Sequence, residues 1–150
     1  MERSIRRTIE DDIIESYQEC AFIVTGYHPD IVSVYFLGKK IIISSRGISP
    51  LEAQNLPATV GGRKIDKVLS DMRRDFYMNL MTKQIERIVA CKVLSIKMDL
   101  TISIAEKVDI FIIEQSIEEV IRQKEEQRHQ YENHFRLLKS FFRDERYCNR

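Results

Sequence analysis

Two short runs of β-forming residues, Ile31 to Leu37 and Lys40 to Ser45, are separated only by Gly38-Lys39. Glycine at the head of a two-residue loop supplies the positive φ that a tight antiparallel turn demands, so the pair predicts a β-hairpin. Alternation sends Val32, Val34 and Phe36 to one side of the pleat and Ile31, Tyr35 and Leu37 to the other. Both sides are apolar. That pattern predicts a hairpin that is central in its sheet or covered on both faces, for instance by a second subunit.

The segments around the hairpin follow helical and strand periods in turn. Ile5, Ile9, Ile13, Tyr17, Cys20, Ala21 and Val24 recur on one helical face, and Gly26 ends that helix. After Gly47, Ser49-Pro50-Leu51-Glu52 reads as a capping box that opens a short helix, closed by Asn55-Leu56-Pro57. Gly61-Gly62 forms a joint, and a long helix is expected from about Arg63 to Val89. Its apolar stripe is Ile65, Val68, Leu69, Met72, Phe76, Leu80, Ile85 and Ile88. Leu94, Ile96, Met98 and Leu100 then alternate with polar residues, as do Val108, Ile110 and Ile112, which predicts a second strand pair joined through Thr101 to Lys107. Ser116-Ile117-Glu118-Glu119 is a further capping box and opens a last helix reaching about Arg146.

Composition limits the roles open to this chain. With 43% hydrophobic and 31% charged residues in 150, it suits one soluble packed domain. A formal net charge of +1 argues against a general polyanion binder, so nucleic acid is a disfavoured partner. Cys20, Cys91 and Cys148 are odd in number and widely spaced, which suits reduced thiols in a cytoplasmic protein. The first residues never reach an apolar signal core, and no window approaches the roughly 20 apolar residues of a membrane span.

Three places carry chemistry worth weighing. The turn Gly26-Tyr27-His28-Pro29 combines backbone amides with an imidazole and suits a small anion, although an ordinary solvated turn explains the same residues more simply. Asp99 and Asp109 fall in strands expected to pair, where neighbouring carboxylates could hold a proton or a metal. Solvent-facing positions on an amphipathic strand account for them at less cost. His129 and His134 lie on different helical faces, so no shared metal is expected, and nothing calls for a cofactor. The third place is the C-terminal segment. There Phe135, Leu138 and Phe142 recur at heptad spacing with Tyr131, among the bases Arg136, Lys139 and Arg143. Such a basic amphipathic helix docks on a membrane surface, on a partner helix or on its own domain. The polar stretch Arg122 to His129 sets it apart from the rest.

Gly26-x-x-Pro29, Val34-Tyr35 and Gly38 in the hairpin, and Gly47-Ile48-Ser49-Pro50-Leu51-Glu52 resemble the MpsC family. Gly62, the long helix, Val93, Asp99 and Val108-x-Ile110-Phe111 keep that family's order, over roughly Ile9 to Glu114. The chain departs from the family's pattern at Tyr27-His28, where Arg-Gly is usual, and at Ile48-Ser49, where Leu-Thr is usual. A third departure is Ala90-Cys91, where a glycine commonly follows the long helix. The resemblance implies association with a sodium-translocating, membrane-potential-generating system and carries over no catalytic residue.

The expected fold is therefore α+β. Two hairpins form a four-stranded antiparallel sheet with two helices on one face, in a domain over residues 1–115, and residues 116–150 form a C-terminal helical extension. The expected role is a non-enzymatic accessory or regulatory subunit of a membrane ion or inorganic-carbon uptake system. It would be a cytoplasmic homodimer, peripheral to the inner face of the membrane. The competing reading is a small-ligand or anion-binding protein or enzyme using Gly26, Tyr27, His28, Pro29 and Asp99, and a third, against which the near-neutral net charge argues, is nucleic-acid binding through the basic C-terminal helix.

Overall fold

The computed structural model describes residues 3–47 and 60–148, and their side chains except at 60–66, 102 and 144–148. Its elements are α1 (Ile5–Thr25), β1 (Ile31–Leu37), β2 (Lys40–Arg46), α2 (Val60–Val89), β3 (Val93–Thr101), a 3₁₀ turn (Ile102–Ile104), β4 (Glu106–Ile113) and α3 (Ile117–Cys148). The short helix expected at Ser49-Pro50 lies outside the described residues.

The four strands form one antiparallel sheet in the order β1-β2-β4-β3. Each hairpin closes locally, and β2 then pairs with β4 to join the two. Leu37 pairs with Lys40 across the Gly38-Lys39 loop, and Gly38 takes φ 57, the conformation the tight turn requires. The second hairpin turns through the 3₁₀ segment and Ala105, whose φ of 50 supplies the left-handed step without a glycine. The first hairpin is central only in β2. β1 is an edge strand, and Ile31, Tyr35 and Leu37 stand exposed. β2 and β4 occupy the middle because their inward residues are the wholly buried ones.

One face of the sheet carries the core. Ile41 and Ile43 of β2 and Phe111 and Ile113 of β4 meet Ile9, Ile13, Tyr17 and Cys20 of α1, with Tyr77, Met81, Ile85 and Ile88 of α2. Fully burying a side chain of this size stabilises the fold by about 1.5–3 kcal/mol. The expected face of α1 is the one used. That of α2 is used only in part. Val68, Leu69, Met72 and Phe76 are exposed, whereas Ile85 and Ile88 of the expected stripe do face inward, joined by Tyr77 and Met81, about 160° around the helix from the exposed four. β3 shows a second departure. A bulge between Val93 and Ser95 throws Leu94 out of the alternation, leaving it 64% exposed.

The helix ends follow local chemistry. Ser4 caps α1 by accepting a hydrogen bond from the Arg7 amide. Ser116 likewise accepts from the Glu119 amide at 3.2 Å, but the Glu119 carboxylate binds Arg122 rather than reaching back, so half of the capping box is built. The start of α3 is pinned to the first hairpin where the Ile117 amide donates to the Gly38 carbonyl at 3.0 Å. Ile117 and Val120 are buried in the same core, which therefore continues past Ile113.

Candidate functional site

A polar cluster lies inside the core, where the sheet meets α1 and α2. β4 turns Asp109 inward between Lys107 and Phe111, and its carboxylate is wholly buried. Tyr77 of α2 donates a hydrogen bond to Asp109 Oδ2 at 2.5 Å. The Tyr77 ring packs edge-on to Tyr17 with centroids 6.0 Å apart, and the Lys107 ammonium sits 4.1 Å from its centre. The Tyr17 hydroxyl is hydrogen-bonded to Ser45 Oγ at 2.7 Å. Burial pushes the Tyr77 hydroxyl well above its ordinary range, and the neighbouring Asp109 charge adds to that. Burial also raises the Cys20 thiol, with Glu19 adding to the shift, so this buried cysteine is held as the unreactive thiol.

The solvent-facing position expected for Asp109 is corrected by the structure, since β4 turns it into the core at the centre of this cluster. Its supposed companion Asp99 is on the opposite side of the sheet. Asp99 pairs with Val108 and Asp109 with Met98, so the two carboxylates point to different faces. No group of three or more His, Cys, Asp or Glu residues among those described is arranged to hold a metal ion.

The 26–29 turn is built differently from an open anion cradle. Gly26 ends α1 in the left-handed conformation and its amide donates to the Phe22 carbonyl at 2.7 Å, while the Tyr27 amide donates to Thr25 Oγ1 at 3.2 Å. The His28 ring stacks on Phe22 with centroids 4.4 Å apart and planes 8° apart, covering an exposed aromatic. Tyr27 and His28 are exposed, and Pro29 is half-buried. Just beyond, Asp30 packs against Gly47. A Cβ on Gly47 would stand 2.5 Å from Asp30 Oδ2, and its φ of 78 belongs to glycine in any case. The Asp30 amide donates to the Arg46 carbonyl and the Gly47 amide to Ala105, which ties the turn to one end of the sheet.

The C-terminal helix departs from the body. Every residue from 131 to 143 is exposed. Tyr131, Phe135, Leu138 and Phe142 fall within about 60° of arc, in line with the buried Ile117 at the helix start. Tyr131 stacks on Phe135, and the Lys139 ammonium lies 4.9 Å from the Phe135 ring centre. Arg136, Lys139 and Arg143 all fall on one flank of this stripe, and Phe141 marks the other. Arg122 bridges Glu119 and Glu126, which stiffens the turns between body and arm. The sheet's second face is also open. Tyr35 and Leu37 are exposed there beside half-buried Ile42, Ile110 and Ile112, and the register sets these side chains next to each other. No described helix is long and apolar enough to cross a membrane.

No curated protein and no solved structure matches the chain significantly. The family comparison does give a match. The fold found, a four-stranded antiparallel sheet with helices and a C-terminal helical arm, is carried by a sequence matching the family described as the Na+-translocating membrane potential-generating system (MpsC) over residues 3–115, and the chain belongs to the MpsC family.

Proposed function

We propose that the protein is a non-enzymatic accessory or regulatory subunit of a membrane ion or inorganic-carbon uptake system that generates membrane potential. It acts as a cytoplasmic homodimer at the inner face of the membrane. The family supplies the context. The observation that carries the reading is the amount of apolar surface left uncovered in three separate places. These are the arm with Phe135, Leu138 and Phe142, the first half of α2, and the open sheet face with Tyr35 and Leu37. Uncovered apolar surface on this scale marks sites of assembly. Arg136, Lys139 and Arg143 beside the arm's stripe favour a partner or surface of opposite charge.

A direct test is in-cell cross-linking of the tagged full chain, followed by fractionation and identification of captured proteins. A polytopic ion-transport protein is expected with the chain in the membrane fraction. Recovery of the chain without any membrane protein, from the soluble fraction alone, refutes the proposal.

A further inference from the structure

We propose that the homodimer is built by helix pairing between copies, the exposed stripe of α2 in one protomer packing against the arm of α3 in the other. This rests on the dimer reading above and names its surface. Val68, Leu69, Met72 and Phe76 are 46–62% exposed on α2, and Tyr131, Phe135, Leu138 and Phe142 are 43–71% exposed on α3. Leu69, Met72 and Phe76 are spaced three and four apart, and the arm's four residues four, three and four apart. That alternation is the seam by which two helices interlock side chains at a shallow crossing angle.

The two stripes do not meet within one chain, since both are exposed. Nor can either helix bend to bring them together. No glycine or proline occurs from Arg63 to Val89 or from Ile117 to Arg143, and sharp kinks need such a residue or a break in the backbone ladder. The lengths also agree, at about 12 Å from residue 68 to 76 and about 16 Å from 131 to 142.

A membrane surface under the arm would leave the α2 stripe in water, and so would pairing of α3 with its own copy. A second copy docked α2 to α3 covers both. Two-fold symmetry then repeats the contact, so each protomer gives and receives one arm. With on the order of 100 Å² exposed on each of the eight side chains, one contact buries about 800 Å² and two bury about 1,600 Å², the size of a stable specific interface.

The test is sedimentation of the full chain at micromolar concentration, alongside the Met72→Glu, Leu138→Glu and Tyr35→Glu variants, with helix content followed by circular dichroism. In parallel, a lysine-reactive cross-linker is applied to a mixture of isotopically light and heavy parent chains. The expected result is a parent dimer, with dissociation constants raised at least about 100-fold by Met72→Glu and by Leu138→Glu but not by Tyr35→Glu. Cross-links between light and heavy chains should join Lys67 or Lys83 to Lys139. These links come from the parent and do not depend on any variant folding. A dimer that survives Met72→Glu and is lost in Leu138→Glu means pairing of α3 with itself and overturns the inference. A dimer indifferent to both substitutions also overturns it, while the dimer reading stands. A monomeric parent removes the dimer and this inference together. If that monomer binds phosphatidylglycerol vesicles through Leu138, the arm belongs to the lipid.

Discussion

Tyr77→Phe should destabilise the protein through the loss of a single oxygen atom. The substitution keeps the ring, its packing against Tyr17 and the Lys107 ammonium 4.1 Å from its centre. It removes only the hydroxyl that donates to Asp109 at 2.5 Å. Asp109 is wholly buried, so water cannot replace the lost donor without opening the core. A hydrogen bond to a charged group contributes about 1.5–3 kcal/mol, and losing one to a buried carboxylate leaves part of its desolvation cost uncompensated. Taking about 2 kcal/mol, a chain of this length should melt about 4–8 °C lower. Melting must be compared at equal protein concentration, because self-association would shift it. Asp109→Leu removes the other partner and strands the Tyr77 hydroxyl instead. The double variant should therefore be less destabilised than the sum of the singles, with a coupling of about 1 kcal/mol or more. Additive losses, or a Tyr77→Phe melting point within about 1 °C of the parent, would refute the reasoning that this contact holds the buried acid.

The same hydroxyl makes an alkaline prediction. Its pKa in the fold lies above the ordinary 10.0, so its contribution is fully present below about pH 10 and is lost as pH rises through the raised value. Ultraviolet titration should find the Tyr77 hydroxyl un-ionised until the protein unfolds, and Tyr77→Phe should remove that late step. Ala90 ends α2 at φ 56, where a side chain is strained, so Ala90→Gly should raise stability by about 1 kcal/mol in urea unfolding. Gly47→Ala should lower it by about 1–2 kcal/mol, since φ is 78 and the new Cβ meets Asp30; an unchanged urea midpoint would count against that packing.

At Ala90 the backbone holds a left-handed conformation that glycine adopts without strain. Alanine there is strain retained in the fold, and it explains why the substitution toward glycine is predicted to stabilise. His28 stacks on Phe22 and so serves to cover a helix end. Both features arise in the folded chain, because a sequence pattern does not say what a side chain touches.

What the sequence determined by itself was local. The hairpin at Gly38-Lys39, the buried face of α1, the cap at Ser116 and the heptad recurrence of Phe135, Leu138 and Phe142 were all legible, because each depends on neighbours a few residues away. The tertiary structure decided the rest. α2 carries apolar residues on two sides, and only the position of the sheet selects Tyr77 and Met81 as the inward pair while leaving Met72 and Phe76 outside. One bulge at Leu94 shifts which β3 residues face the helices, and the β2–β4 pairing places Asp109 under Tyr77, 32 positions away in the chain. Periodicity says that a face is apolar, whereas the direction of that face depends on the distant segment packed against it.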